Sequence, residues 1–166
     1  IDLNSDMVAY CQDRGLPVIQ ADGLEYLEPI ENNSLDGIFS AMVIEHLEQD
    51  SLLKLIHYAY TKLKPGGVLL LETINPQTLV VFASQFYVDL THQKPIHPLT
   101  LKFLFEMEGF NKIEYVYSSP AEHMKIPPLY IHDLNSSNNI EAFNNAINNL
   151  NNIMFGNQDY AIIGTK

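Results

Sequence analysis

The 166-residue sequence holds a single cysteine and only 9 lysines and arginines, and it lacks both an unbroken apolar run of about 18 residues and an initial methionine. The lone Cys11 excludes an internal disulfide, and its place between Ser5 and Arg14 puts it on the buried side of a helix rather than in a reactive site. With 20 acidic residues the formal charge is −11, which repels phosphate backbones and anionic membrane surfaces and excludes nucleic acid as the expected partner. The lack of a spanning apolar run and of a charged-then-apolar leader gives the expectation of a soluble cytoplasmic protein without membrane insertion. Because the sequence opens in what reads as the tail of a strand, an N-terminal part is expected to be absent. At this length the chain makes one domain, 1–166, able to bury about two thirds of its unfolded surface. Oligomeric state is not encoded in any of these features.

What is present alternates between strand and helix. Asn4 or Ser5 caps a helix with Met7, Val8 and Cys11 at helical spacing, Gly15 closes it, and Val18 to Ala21 follows as a short strand. A short helix over Leu24 to Leu27 leads to a strand from Leu35 to Ser40. Asp50 reads as the N-cap of a helix with Leu52, Leu53, Leu55, Ile56, Tyr60 and Leu63 on its inner face. A Lys64-Pro65-Gly66-Gly67 turn then opens a continuously apolar strand, the pattern of a strand covered on both faces. Pro98 to Met107 is a helix ended by Gly109, Lys112 to Tyr117 alternates as a strand, and Gln158 to Gly164 is a closing strand. Between them, 120–156 reads as an insertion whose Asn-rich segment, Ser136 to Asn152, spaces Ile140, Phe143, Ile147 and Leu150 as an amphipathic helix. Repeated strand–helix alternation implies right-handed crossovers and a mostly parallel α/β sheet.

In such sheets ligands bind beyond the carboxyl ends of the strands. Asp2, Asp22 and the segment Ser40 to Glu45 all fall at such ends. A carboxylate at one strand end can accept from vicinal ribose hydroxyls, and one on the neighbouring strand from an adenine amine, so an adenosine-containing cofactor satisfies both.

The ordered set Ile1-Asp2-Leu3-Asn4, Gln20-Ala21-Asp22-Gly23-Leu24, Leu35-Asp36-Gly37-Ile38-Phe39-Ser40-Ala41, Ile44-Glu45-His46-Leu47 and Leu63-Lys64-Pro65-Gly66-Gly67 resembles the class I S-adenosylmethionine-dependent methyltransferases of type 11/23, over nearly the whole chain. The stretches Asp89 to Pro98 and Phe155 to Tyr160 resemble a bacterial or archaeal subgroup, some of whose members act on sugars of surface polysaccharides. The resemblance implies a Rossmann-like methyltransferase fold, with an antiparallel last strand and helices on both faces of the sheet. It also implies S-adenosylmethionine as cofactor, with Asp2 and Leu3 at the ribose, Asp22, Gly23 and Leu24 at the adenine, and Ala41 and Met42 along the methionine arm. The chain departs from the family in lacking the glycine-rich loop that follows the first strand, and with it that strand. The expectation is that both lie upstream.

Transfer of a methyl group from a sulfonium is an in-line displacement, so positioning supplies much of the catalysis, about 7–11 kcal/mol in favourable cases. An oxygen acceptor also gains roughly 100- to 10,000-fold from a base. His46, His92 and His97 are the candidates, with Glu45 and Glu72 as acidic neighbours and Thr73 and Asn75 near the acceptor. His46 reads equally as a residue packing at the next helix, and His97, before Pro98, as an N-cap. A metal is not expected, since no two histidines stand at the i, i+4 spacing of a zinc helix and there is one cysteine. The chain thus reads as an enzyme methylating a small-molecule or glycan acceptor. The alternatives are a catalytically incomplete binding module and, more weakly, a nucleotide-binding oxidoreductase domain, against which the Pro-Gly-Gly turn and Asp22 argue.

Overall fold

The computed structural model describes residues 1–130 and 137–166. Along the chain run α1 (Ser5–Gln12), α2 (Gly23–Leu27), β1 (Leu35–Ala41), α3 (Gln49–Lys62), β2 (Leu63–Ile74), α4 (Val80–Ser84), α5 (Pro98–Glu108), β3 (Asn111–Pro120), α6 (Ser137–Met154) and β4 (Asn157–Thr165). The strands form one sheet in the order β1-β2-β4-β3. β1 and β2 are parallel, and β4 runs antiparallel to both of its neighbours, so three strands share a direction and only the last opposes them. This is the mixed α/β sheet expected from the sequence. Among the described residues β1 is an edge strand, paired on one side only.

Local signals account for most helix ends. Asn4 Oδ1 accepts from the N–H groups of Asp6 and Met7 at 2.9 and 3.2 Å and so caps α1. α5 starts at Pro98 and stops at Gly109, whose φ of +111° and close approach to the Tyr60 ring leave no room for a side chain. α3 buries Leu52, Leu55, Ile56 and Ala59 on one stripe, against Leu69 and Leu71 of β2, Leu101 and Phe105 of α5, and Tyr160 and Ile162 of β4.

Several expectations are corrected by pairing between distant segments. Val18 to Ala21 does not form a ladder: it makes one parallel bridge, Asp2 with Gln20. Asp50 lies in the first turn of α3, whose N-cap is Glu48, and Leu53 faces solvent at 42% exposure. β2 is not covered equally on both faces: Leu69, Leu71 and Thr73 are buried, whereas Val68, Leu70 and Glu72 alternate as half-buried. The Asn-rich segment is helical from Ser137, while the expected start at Ser136 and part of the 120–156 segment lie outside the described residues.

The Pro-Gly-Gly turn is also more than a boundary. Leu63 already pairs with Leu35, and pairing resumes at Val68 opposite Gly37, so Lys64 to Gly67 loop out within the strand. Lys166 holds this bulge, its N–H donating to the Gly67 carbonyl at 2.9 Å and its own carbonyl accepting from Gly66 at 2.9 Å. A Cβ at Gly67 would meet the backbone oxygens of Lys64 at 2.9 Å and Asp36 at 3.2 Å. Gly67→Ala is therefore expected to lower unfolding free energy by about 1–3 kcal/mol in urea titration, and unchanged stability would show that the bulge opens freely.

Candidate functional site

The parallel strands β1 and β2 deliver their carboxyl ends side by side. Beyond Ala41 the chain turns through Met42 at φ +51°, a left-handed conformation that costs a non-glycine residue on the order of 1–2 kcal/mol. The Met42 N–H donates to the Glu72 carbonyl at 3.0 Å, which fixes the bend against β2. A 3₁₀ turn, Ile44–His46, follows and drives Glu45 inward to 1% exposure.

The Glu45 carboxylate is held from one side only. Thr73 Oγ1 donates to its Oε2 at 2.8 Å, while Oε1 is buried without a partner among the described residues. An unsatisfied buried oxygen costs about 1–3 kcal/mol, and more when charged. His46 and His92 lie against the same carboxylate: one ligand atom from each of the three side chains is within 4.8 Å of the others, and the two imidazole centroids are 4.6 Å apart.

Hydrogen bonding fixes the tautomer of both rings. His92 Nδ1 is 2.7 Å from the Phe86 carbonyl, which only accepts, so Nδ1 carries the proton. His46 Nδ1 is 2.8 Å from Thr91 Oγ1, and that hydroxyl donates to Asp89 Oδ1 at 2.6 Å, so it accepts from His46. The Thr91 hydroxyl and then its backbone N–H hold the Asp89 carboxyl below the usual carboxylate range, with smaller contributions from His92 and His46. Each imidazole is left with a lone pair on Nε2. The loop carrying Asp89 to Gln93 is pinned in place by the Gln93 N–H, which donates to the Glu45 carbonyl at 2.8 Å.

The remaining candidates fall into separate groups. Asp2 and Asp22 are brought together by the bridge between their segments: Asp2 N–H donates to the Ile19 carbonyl, and Ala21 N–H to that of Asp2, both at 3.1 Å. Asp2 Oδ1 accepts from Asn4 N–H at 2.8 Å, and Asp22 Oδ1 caps α2 by accepting from Leu24 and Glu25 at 2.8 and 3.1 Å. Leu3 and Gly23 are exposed and Leu24 half-buried, and an open depression of about 420 Å³ beside Asp22 is lined by Ala21, Glu25, Tyr26, Pro29 and Ile30. Ala41 and Met42, both exposed, lie at the end of β1. His97 stands apart from the other two histidines as the N-cap of α5, its Nδ1 accepting from Leu99 N–H at 3.2 Å. Asn75 is buried and structural, donating to the Asn157 carbonyl at 2.8 Å.

From the sequence, Glu45 stands in the strand-end segment as an acidic neighbour and Thr91 beside His92 in the substrate wall, while the Asp89 bond to Thr91 and the meeting of Glu45 with His92 appear only in the fold. The available signal was the Asp-x-Thr-His order at 89–92, since aspartate commonly bonds the backbone two residues on. Helical spacing and the single cysteine give no sign of a metal, whereas in the fold Glu45, His46 and His92 meet through a tertiary contact between a strand end and a distant loop.

A family profile described as a methyltransferase domain matches residues 1–71. The structure of an S-adenosylmethionine-dependent methyltransferase from Archaeoglobus fulgidus is similar over 99% of this chain and 74% of that one, at 36% identity and a TM-score of 0.92. A possible histamine N-methyltransferase from Thermotoga maritima aligns at 14% identity and TM-score 0.64, covering 98% of this chain and 70% of that one. Phosphoethanolamine N-methyltransferase 2 of Haemonchus contortus, solved with S-adenosyl-L-methionine, aligns at 21% identity and TM-score 0.55, covering 87% of this chain and 36% of that one. No curated protein matches the sequence.

The Asp89–Thr91–His46 relay yields a direct test. In imidazole ¹⁵N spectra recorded where both rings are neutral, His46 is expected to hold its proton on Nδ1, and Thr91→Val to give a mixture of tautomers with little change in melting temperature. A His46 spectrum unaltered by Thr91→Val would rule the relay out.

Proposed function

We infer that this chain, which belongs to the class I S-adenosylmethionine-dependent methyltransferases, methylates an oxygen of a small-molecule or glycan acceptor. S-adenosylmethionine is the methyl donor of the family. The oxygen acceptor is supported by one observation above others: Glu45, His46 and His92 converge at the carboxyl ends of β1 and β2 with an unpartnered carboxylate oxygen and two Nε2 lone pairs directed by their Nδ1 bonds. A neutral amine acceptor already has a nucleophilic lone pair, whereas a hydroxyl gains from a group that takes or weakens its proton.

In this reading the carboxylate of Asp2, with Oδ2 left free by the Asn4 bond, accepts from the ribose hydroxyls, and Oδ2 of Asp22, at the neighbouring segment end, from the adenine amine. The left-handed bend at Met42 sets the backbone of Ala41 and Met42 along the methionine arm. The acceptor oxygen attacks the methyl carbon as the carbon–sulfur bond breaks. Its electron pair goes to sulfur, leaving S-adenosylhomocysteine, and the acceptor proton leaves through the histidine cluster. The 120–156 segment is an insertion before the last strand in this reading, and the end of its helix is tied to the segment after β2, where Thr78 Oγ1 donates to the Met154 carbonyl at 3.2 Å and Leu79 N–H to that of Ile153 at 2.8 Å. Among the described residues no helix is long and apolar enough to cross a membrane. A cytoplasmic setting suits a chain with one cysteine and no disulfide to form.

Calorimetric titration of the full-length natural protein with S-adenosylhomocysteine is the test of the cofactor assignment. Asp2→Ala is expected to weaken binding about 10- to 100-fold, the value of a charge-assisted bond of about 1.5–3 kcal/mol, and an unchanged affinity would displace the ribose from Asp2. The acceptor assignment is tested with methyl-labelled S-adenosylmethionine and mass spectrometry of hydroxyl- and amine-bearing acceptors. Label found only on nitrogen would overturn it.

A further inference from the structure

We propose that Glu45, His46 and His92 form a binding site for a divalent transition-metal ion of the zinc class. One ligand atom from each lies within 4.8 Å of the other two. Two nitrogens on one such ion stand about 3.4 Å apart, given metal–nitrogen bonds of about 2.0–2.1 Å, so a small rotation of the two half-buried imidazoles closes the set. Glu45 and His46 come from one short turn and His92 from a loop 46 positions along, yet the backbone bond from Gln93 N–H to the Glu45 carbonyl at 2.8 Å locks the two segments together.

The cluster differs from a buried acid that merely touches two histidines. Glu45 Oε1 has no partner although it is fully buried, and Oε2 is oriented by Thr73, which leaves one carboxylate oxygen free to ligate. Both imidazoles are anchored through Nδ1, one by a backbone carbonyl and the other by a hydroxyl committed to an aspartate. Outer anchors of this kind fix the ring, select the tautomer with a bare Nε2 and raise its basicity as a ligand. Two imidazoles with a carboxylate suit zinc and its neighbours in the first transition row, and disfavour calcium and magnesium, which prefer oxygen-only shells.

Three protein ligands leave a further coordination position open. An acceptor hydroxyl at that position would lose its proton more readily, and with the imidazoles then acting as ligands rather than as free bases that proton would pass to solvent water instead of to the histidines. That role rests on the methyl-transfer reading, whereas binding of the ion does not.

Metal-stripped protein titrated with Zn²⁺ by calorimetry is expected to take up one ion. His92→Ala and Glu45→Gln should each weaken affinity at least about 100-fold, and Asp89→Asn, which frees the Thr91–His46 anchor, about 10- to 100-fold. His57→Ala, at a histidine paired with Glu108 instead, should bind as the wild type does. Co²⁺ in place of Zn²⁺ should give the visible bands of a four- or five-coordinate site, absent in His92→Ala. Equal zinc affinity in wild type and His92→Ala, or no uptake at all, overturns the site, and the half-buried His92 keeps this comparison valid should Glu45→Gln fail to fold. S-adenosylhomocysteine titration of the same samples separates the two readings. Nucleoside binding without a zinc site removes only the ion, and a zinc site without nucleoside binding removes only methyl transfer.

Discussion

A carboxylate buried at the end of the hydrophobic core is the constraint around which the rest of this structure is arranged. Leu69, Leu71 and Thr73 occupy successive positions on the buried face of β2, so the core turns polar at Thr73, where the Glu45 carboxylate rests. Removing such a group from water is expensive unless its lone pairs are met. One oxygen is met by a hydroxyl from the adjacent strand, the other has no hydrogen-bond partner among the described residues, and the two imidazoles lie against the same carboxylate. The left-handed bend at Met42 and the 3₁₀ turn after it are what aim Glu45 inward, so the local strain and the buried charge belong to one device. Strain of this kind persists only where surroundings over-determine it. Here the surroundings are the Met42 bond to β2 and the Gln93 bond to the Glu45 carbonyl.

Features decided within one turn of chain were legible in the sequence. The apolar stripe of α3, Pro98 opening α5, Gly109 closing it and the alternation of β3 each depend on neighbours three or four positions away at most. The motif order also led to the family and to its mixed sheet. Features decided by partners far along the chain were not legible. Leu63 pairs with Leu35 before the Pro-Gly-Gly bulge because β1 runs past that point, and Val18 to Ala21 makes only one bridge because Asp2 is its sole described partner. The doubly covered reading of β2 failed for the same reason: apolarity is a property of the residue, but coverage depends on which elements reach each face. At the site, the end of β1 beside Met42 was legible, the segments of Asp2 and Asp22 meet only in one bridge, and Glu45 gained its meaning only from His92, which lies in a loop with no regular spacing to it.

The same logic explains why β4, the last segment of the chain, bears on a site to which it contributes no reacting group. Its Tyr160 hydroxyl, fully buried and pushed well above the usual tyrosine range by that burial, stays a donor and holds the Ile96 carbonyl at 2.7 Å. Asn157 and Gln158 accept from the side chain and backbone of Asn75, at 2.8 and 2.7 Å, just beyond the end of β2. Gln158 also binds Gln85 at 2.9 Å and the Ser119 carbonyl at 3.1 Å. At the far end Lys166 clamps the glycine bulge. One strand thus fastens the turn after β2 and both flanks of the loop that carries Asp89, Thr91 and His92. These contacts join segments about 40 to 100 positions apart, so they are non-local contacts whose formation carries a loop-closure cost. The Gln93 bond to the Glu45 carbonyl ties the loop to the turn, and β4 holds the flanks on either side of it through Gln85 and Ile96. Order in the cluster thus draws on its own bonds and on the completed sheet together, and the antiparallel final strand is the element that fixes both flanks of the loop.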